Sequence, residues 1–176
     1  MNNSAPRKRS LLFWRGLTVT WGLLIFYLST GSFGGSLSTQ LLKQIIDILH
    51  LAVSHETFVA LHFLFRKLAH LTEYAIFSLL FYQCFGDARE VGWRTRRAVW
   101  SVVGAALYSL TDELHQSIVP GRTASWMDCG VDTAGAALGM LALYGGERLS
   151  RARKTKEAAS QGNKREEGTG RRQAPV

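Results

Sequence analysis

The segment Ser109–Gly130, SLTDELHQSIVPGRTASWMDCG, poses the question on which the fold turns. It sets Asp112, Glu113, His115, Arg122 and Asp128 between two of the most apolar stretches of the chain. A soluble bundle would carry such groups on its surface. If the flanking stretches lie in a bilayer, ionisable groups at their edge need a reason, because a charge in hydrocarbon is costly and normally faces a bundle interior or a wet cavity.

Outward from this segment the apolar residues fall into blocks. The chain has 176 residues, enough for one domain, and 47% of them are hydrophobic. Blocks at 11–30, 68–85, 98–119 and 127–144 approach the roughly 20 residues that cross a hydrocarbon core about 30 Å thick. The first two are plausible spans, whereas charges interrupt the last two. A soluble helical bundle is the alternative. The first block holds Arg15 and lacks a small-residue cleavage site after its apolar run, so it reads as an anchor rather than a removed signal peptide.

Charge supports four spans independently. Lys and Arg number 21 against 13 Asp and Glu, a formal charge of +8. Arg7, Lys8, Arg9 and Arg15 flank the first block, and Arg89, Arg94, Arg96 and Arg97 fill the connection between the second and third. Arg148, Arg151, Arg153, Lys154 and Lys156 follow the fourth. Four passes with both termini cytoplasmic place all of these inside, as the positive-inside tendency requires. Anionic lipid headgroups, not nucleic acid, are the partner such flanking charge implies.

The expected fold is therefore all-α: a polytopic membrane bundle of four transmembrane helices plus one interfacial amphipathic helix. That helix is read at 36–54, where Gln40, Lys43, Asp47, His50 and Ser54 recur at helical spacing opposite Leu41, Leu42, Ile45, Ile46, Ile48, Leu49 and Ala52. A helix packed over the outer mouth of the bundle fits the pattern equally, and either could roof a site. His50, His55 and His62 read as surface or interfacial residues. Three regions follow: a basic cytoplasmic N-terminus at 1–10, a membrane domain at 11–146, and a basic cytoplasmic tail at 147–176 whose composition points to disorder.

The outer ends of the spans carry the unusual chemistry. In RKLAHLTEYAIF, Arg66, His70 and Glu73 stack on one helical face, overlapped by Lys67 and Tyr74. Asp112, Glu113 and Gln116 close the third span, and Asp128 and Asp132 open the fourth one turn apart. The topology puts all three groups at one depth on one side. A mixed acid–base cluster at a membrane surface suits proton transfer on a lipid-linked substrate, and ion-pair networks that only hold helices together produce similar clusters.

Each residue has a plainer reading. Ser125 and Asp128 have capping-box spacing, and Arg122 and Lys67 can snorkel to headgroups. Glu73 and Asp112 can form interhelical pairs. Gly135 and Gly139 form one small-residue face, and Ser101, Ala105 and Ser109 another, as helix-packing seams do. His115 points away from the acidic edge. His70, Glu73, Asp112 and Asp128 are metal-ligand types, but the H-x-x-E spacing alone does not build a site, so no metal and no cofactor is expected. Cys84 and Cys129 fall at opposite ends of their spans, too far apart for a disulfide.

The pattern resembles the VanZ-like family of small bacterial membrane proteins over about Phe13 to Gly145. The motifs are K-x-x-H-x-x-E-Y at Lys67, His70, Glu73 and Tyr74, and D-E-x-x-Q at Asp112, Glu113 and Gln116. P-G-R at Pro120–Arg122 and D-x-x-x-D-x-x-G at Asp128, Asp132 and Gly135 complete them. The family often has Asn where this chain has Asp132. The resemblance implies a multi-pass protein of the bacterial cytoplasmic membrane, and the founding member confers teicoplanin resistance. That drug binds a cell-wall precursor outside the membrane, which agrees with an outward-facing site.

Two classes of function follow. One is a membrane enzyme acting on a lipid or lipid-linked envelope component, with His70, Glu73, Asp112 and Glu113 as catalytic candidates. Lys67, Tyr74, Gln116, Arg122, Asp128 and Asp132 would then hold the substrate. The other is a non-catalytic envelope factor that binds lipid or a membrane partner. Transport is less attractive, because four short spans leave little room for alternating access and the acidic groups sit at one face. The sequence does not indicate the oligomeric state.

Overall fold

Five α-helices and no strand make up the regular structure of the described residues, 11–29, 34–86, 92–118 and 125–170, in a computed structural model. They are α1 (Leu11–Ser29), α2 (Gly34–Ile48), α3 (His55–Cys84), α4 (Thr95–Ile118) and α5 (Trp126–Gly170). The four apolar blocks fall on α1, α3, α4 and α5, and the amphipathic segment falls on α2. The basic segment 1–10 and the residues Pro120, Gly121 and Arg122 lie outside the described residues. Among the described helices only α1 is long and apolar enough to cross a membrane by length and composition. The charges of α3 and α4 and the two aspartates of α5 dilute their apolar windows, so the expectation of four spans meets this criterion for α1 alone.

The chain forms two compact units, Met1–Met140 and Leu141–Val176, and α5 contributes to both. In the first unit the helix directions follow from what they touch. Thr18 of α1 meets Cys84 at the end of α3, at 3.0 Å, while Ser29 at the other end of α1 meets Gln116 of α4. Helix α1 thus runs antiparallel to α3 and parallel to α4. Helix α5 starts beside Lys67 and passes Ser78, so it descends alongside α3. Tyr82 ties α3 to the start of α4: its hydroxyl accepts from Arg94 N at 2.9 Å, its carbonyl from Arg97 Nη2 at 2.7 Å, and its ring lies under the Arg97 guanidinium.

Small residues decide how closely these helices approach. A Cβ on Gly135 would sit 2.2 Å from the Leu71 carbonyl oxygen, and one on Gly139 would sit 2.6 Å from that of Ala75. Only glycine permits that backbone contact between α5 and α3. Ser78 bridges the same seam, donating to the Ala136 carbonyl at 3.0 Å. Ser101, Ala105 and Ser109 are all fully buried on α4. Ile25, Tyr74, Phe77, Ala105 and Ala136 form the core between the seams.

Two boundaries differ from the sequence reading. Helix α2 stops at Ile48 rather than Ser54, because His50 takes a left-handed conformation with φ 51°. His50 N donates to Asp47 O and Leu51 N to Ile46 O, the paired bonds of a Schellman cap. Ser54 belongs instead to the next helix, where its side chain caps Thr57 N. Helix α3 then runs for 30 residues from His55, about 45 Å at 1.5 Å per residue. Lys67 and His70 accordingly lie three to four turns inside it, not at its start.

In the second unit, backbone that composition marked for disorder is helical as far as Gly170. Ala, Lys, Arg and Glu are strong helix formers, and Glu147 pairs with Arg151 four residues on, at 3.2 Å.

Candidate functional site

Helices α3, α4 and α5 bring their ionisable residues together at the level where α1 ends. The innermost element is Asp132, which has no exposed surface. Its Oδ1 lies 3.1 Å from His70 Nδ1, and its Oδ2 accepts from Ser109 Oγ at 2.6 Å. One carboxylate thereby joins three helices. With Nδ1 engaged by Asp132, the His70 Nε2 remains for other partners.

One turn further out, Lys67 forms an ion pair with Asp128. Asp128 is therefore turned toward α3 rather than back onto its own N-terminus. The capping-box role falls elsewhere: Ser125 N–H donates to Glu113 Oε2 at 2.7 Å, so α4 supplies the carboxylate that receives the start of α5. On the α1 side, Gln116 Nε2 donates to both Ser29 Oγ at 2.7 Å and Asp112 Oδ2 at 3.0 Å. Asp112 Oδ1, Glu113 Oε1 and the Tyr74 hydroxyl are buried without a hydrogen-bond partner among the described residues.

A cavity of about 210 Å³ opens beside this network. Its polar wall consists of Ser29, Ser38, Arg66, His70, Glu73, Asp112 and Gln116. Its apolar wall comes from Ile25 and Leu28 of α1, Leu37 and Leu41 of α2, and Phe65 of α3. Helix α2 is held over it by His62, whose Nε2 lies 3.0 Å from Ser38 Oγ and 3.2 Å from Thr39 Oγ1. His62, read from sequence as interfacial, thus joins the roof to α3.

The ten site candidates divide clearly. His70, Glu73, Asp112 and Gln116 line the cavity. Lys67, Asp128 and Asp132 are engaged in the pairs just described, and Glu113 anchors Ser125. Tyr74 lies in the core with its ring edge-on to Phe77 and reaches no cavity wall. Arg122 lies outside the described residues. His115, set aside from sequence, stacks on Phe26 with ring centroids 4.5 Å apart, away from the cluster.

Sequence reasoning left several residues of the cavity lining out of the site, Arg66 and Ser29 among them. Arg66 sits four residues before His70 and seven before Glu73, a spacing that placed it on their face. Ser29 carried no such signal, because its place depends on how α1 packs, whereas the amphipathic segment of α2 was already read as able to roof a site.

A family model described as VanZ/LLP1 matches residues 14–146. That range contains the whole site. No curated protein and no solved structure matches the chain.

Proposed function

Because the chain belongs to the VanZ/LLP1 family, we propose that it is a multi-pass protein of the bacterial cytoplasmic membrane, with both termini inside and its cavity facing outward. There it acts on a lipid or lipid-linked component of the cell envelope. The observation that carries this reading is the mixed wall of the cavity, where Arg66, His70, Glu73 and Asp112 share the lining of a space of about 210 Å³ with Leu37, Leu41 and Phe65. An amphiphile with a polar head and a hydrocarbon chain matches such a wall, whereas a freely soluble metabolite gains nothing from its apolar half.

Within this reading Glu73 and His70 are the proton-transfer pair. Both line the cavity, and the Asp132 hydrogen bond fixes the His70 ring so that Nε2 is its remaining atom. Asp112 and Gln116 orient the polar head. A link to glycopeptide resistance belongs to the same proposal, since the target of teicoplanin is a lipid-linked precursor on the outer face.

One observation favours the non-catalytic alternative. Lys67, Asp128, Asp132, Ser109 and Glu113 are all consumed in bonds between helices, which is what a rigid binding scaffold requires.

Teicoplanin and vancomycin susceptibility in a sensitive Gram-positive host separates the two readings. Wild type is compared with Glu73→Gln, Asp112→Asn and His70→Ala at matched membrane abundance. Resistance that survives in the isosteric variants overturns proton transfer and favours the binding factor, and resistance that collapses shows that the ionisable groups of the cavity are required, as proton transfer demands. A wild type that confers none removes the drug link and moves the read-out to lipid composition.

A further inference from the structure

The charges in the cavity are unevenly satisfied. Asp128 and Asp132 have partners, yet among the described residues neither the Arg66 guanidinium nor the Glu73 carboxylate has a hydrogen-bond or ion-pair partner. Asp112, 3% exposed, keeps Oδ1 unpartnered as well. All three line the same cavity. A guanidinium offers donors suited to a phosphate, and a carboxylate offers only acceptors, suited to an ammonium that carries N–H groups. A purely anionic ligand would satisfy Arg66 and meet repulsion from Glu73 and Asp112. A purely cationic one would do the reverse.

The volume limits what part of a ligand enters. At about 210 Å³ the cavity has room for a small headgroup. Leu37 and Leu41 line the cavity and are also 38% and 41% exposed, so the apolar wall continues onto the outer surface of α2. A chain attached to the headgroup has a route out along them.

We infer that the cavity receives the zwitterionic headgroup of an aminophospholipid: its phosphate on Arg66, its primary ammonium between Glu73 and Asp112, and its acyl chain along Leu37 and Leu41. This rests on the reading of the cavity as a lipid site and names the class of lipid.

The test uses the full chain in detergent, titrated by native mass spectrometry with short-chain phosphatidylethanolamine, phosphatidylcholine and phosphatidylglycerol. Phosphatidylcholine has the same charges as phosphatidylethanolamine but no N–H donor, and phosphatidylglycerol has no cation. Phosphatidylethanolamine should bind at least about tenfold more tightly than either, a difference of about 1.4 kcal/mol. Glu73→Gln should reduce its advantage over phosphatidylcholine, and Arg66→Gln should weaken both zwitterions. Equal binding of all three, or preference for phosphatidylglycerol, overturns the aminophospholipid assignment while leaving a lipid site in place. No binding of any lipid by a folded wild-type chain overturns both.

Discussion

Asp132 Oδ1 lies 3.1 Å from His70 Nδ1, in a position with no solvent exposure and with the second oxygen bonded to Ser109. A buried carboxylate shared by three helices is costly to leave half-satisfied, since each stranded polar group costs about 1–3 kcal/mol. Asp132→Ala should therefore destabilise the chain by about 2–4 kcal/mol, strand both Ser109 and His70, and lower the unfolding midpoint in detergent. Asp132→Asn retains an acceptor for His70 and a group that can bond Ser109, so it should cost about 1 kcal/mol or less. Equal losses in the two variants would mean that charge, not hydrogen bonding, is what the position supplies.

The contact of Gly135 with Leu71 predicts a sharp contrast along one helix. Gly135→Ala drives a methyl into the α3 backbone and should destabilise by about 1–3 kcal/mol. Gly130→Ala meets nothing within 4 Å on the same helix. It should stabilise by up to about 1 kcal/mol through helix propensity. Thermal unfolding of the two purified variants against wild type checks both signs.

Lys67 and Asp128 form a half-buried ion pair between α3 and α5. Removing either partner strands the other, so Lys67→Met and Asp128→Leu should each destabilise more than half as much as the double variant. A double-mutant cycle by chemical unfolding should give a coupling of about 0.5–3 kcal/mol. A coupling indistinguishable from zero would place the pair among surface bridges of no consequence.

Glu113 and Glu73, both acid–base candidates from sequence, should separate by phenotype. Glu113→Ala removes the acceptor for Ser125 N–H and should lower stability by about 1–3 kcal/mol. Glu73→Ala, at a cavity wall with no carboxylate partner, should stay within about 0.5 kcal/mol of wild type. Unfolding measurements in detergent read this split without any assumption about substrate.

Much of this arrangement is visible in the chain itself, for identifiable reasons. The four apolar blocks fall on helices because apolar runs that long suit little else. Arg66, His70 and Glu73 share a face because helical spacing requires it. Partner choice is different. That Lys67 takes Asp128, and that Glu113 takes the Ser125 amide, depends on how α5 is rotated about its axis, which the Gly135 and Gly139 contacts with α3 determine. The early end of α2 was hidden because His50, not glycine, adopts the left-handed cap. The upstream half of α3 was hidden because His55, Glu56, His62 and Arg66 interrupt its apolar residues. The cavity itself is a tertiary product of α1, α2, α3 and α4, and its polar wall left the clearer mark in the sequence.

The central proposal, a cavity opening to the outer face beneath α2, is tested most directly by accessibility in intact cells. With Cys84 and Cys129 replaced by Ser, single cysteines go at Gln40, exposed on α2, and at Thr155, exposed in the second unit. Each is then treated with a membrane-impermeant maleimide. The proposed topology predicts labelling at Gln40→Cys in intact cells and at Thr155→Cys only after permeabilisation. The opposite pattern would place α2 and the cavity on the cytoplasmic side and contradict the account.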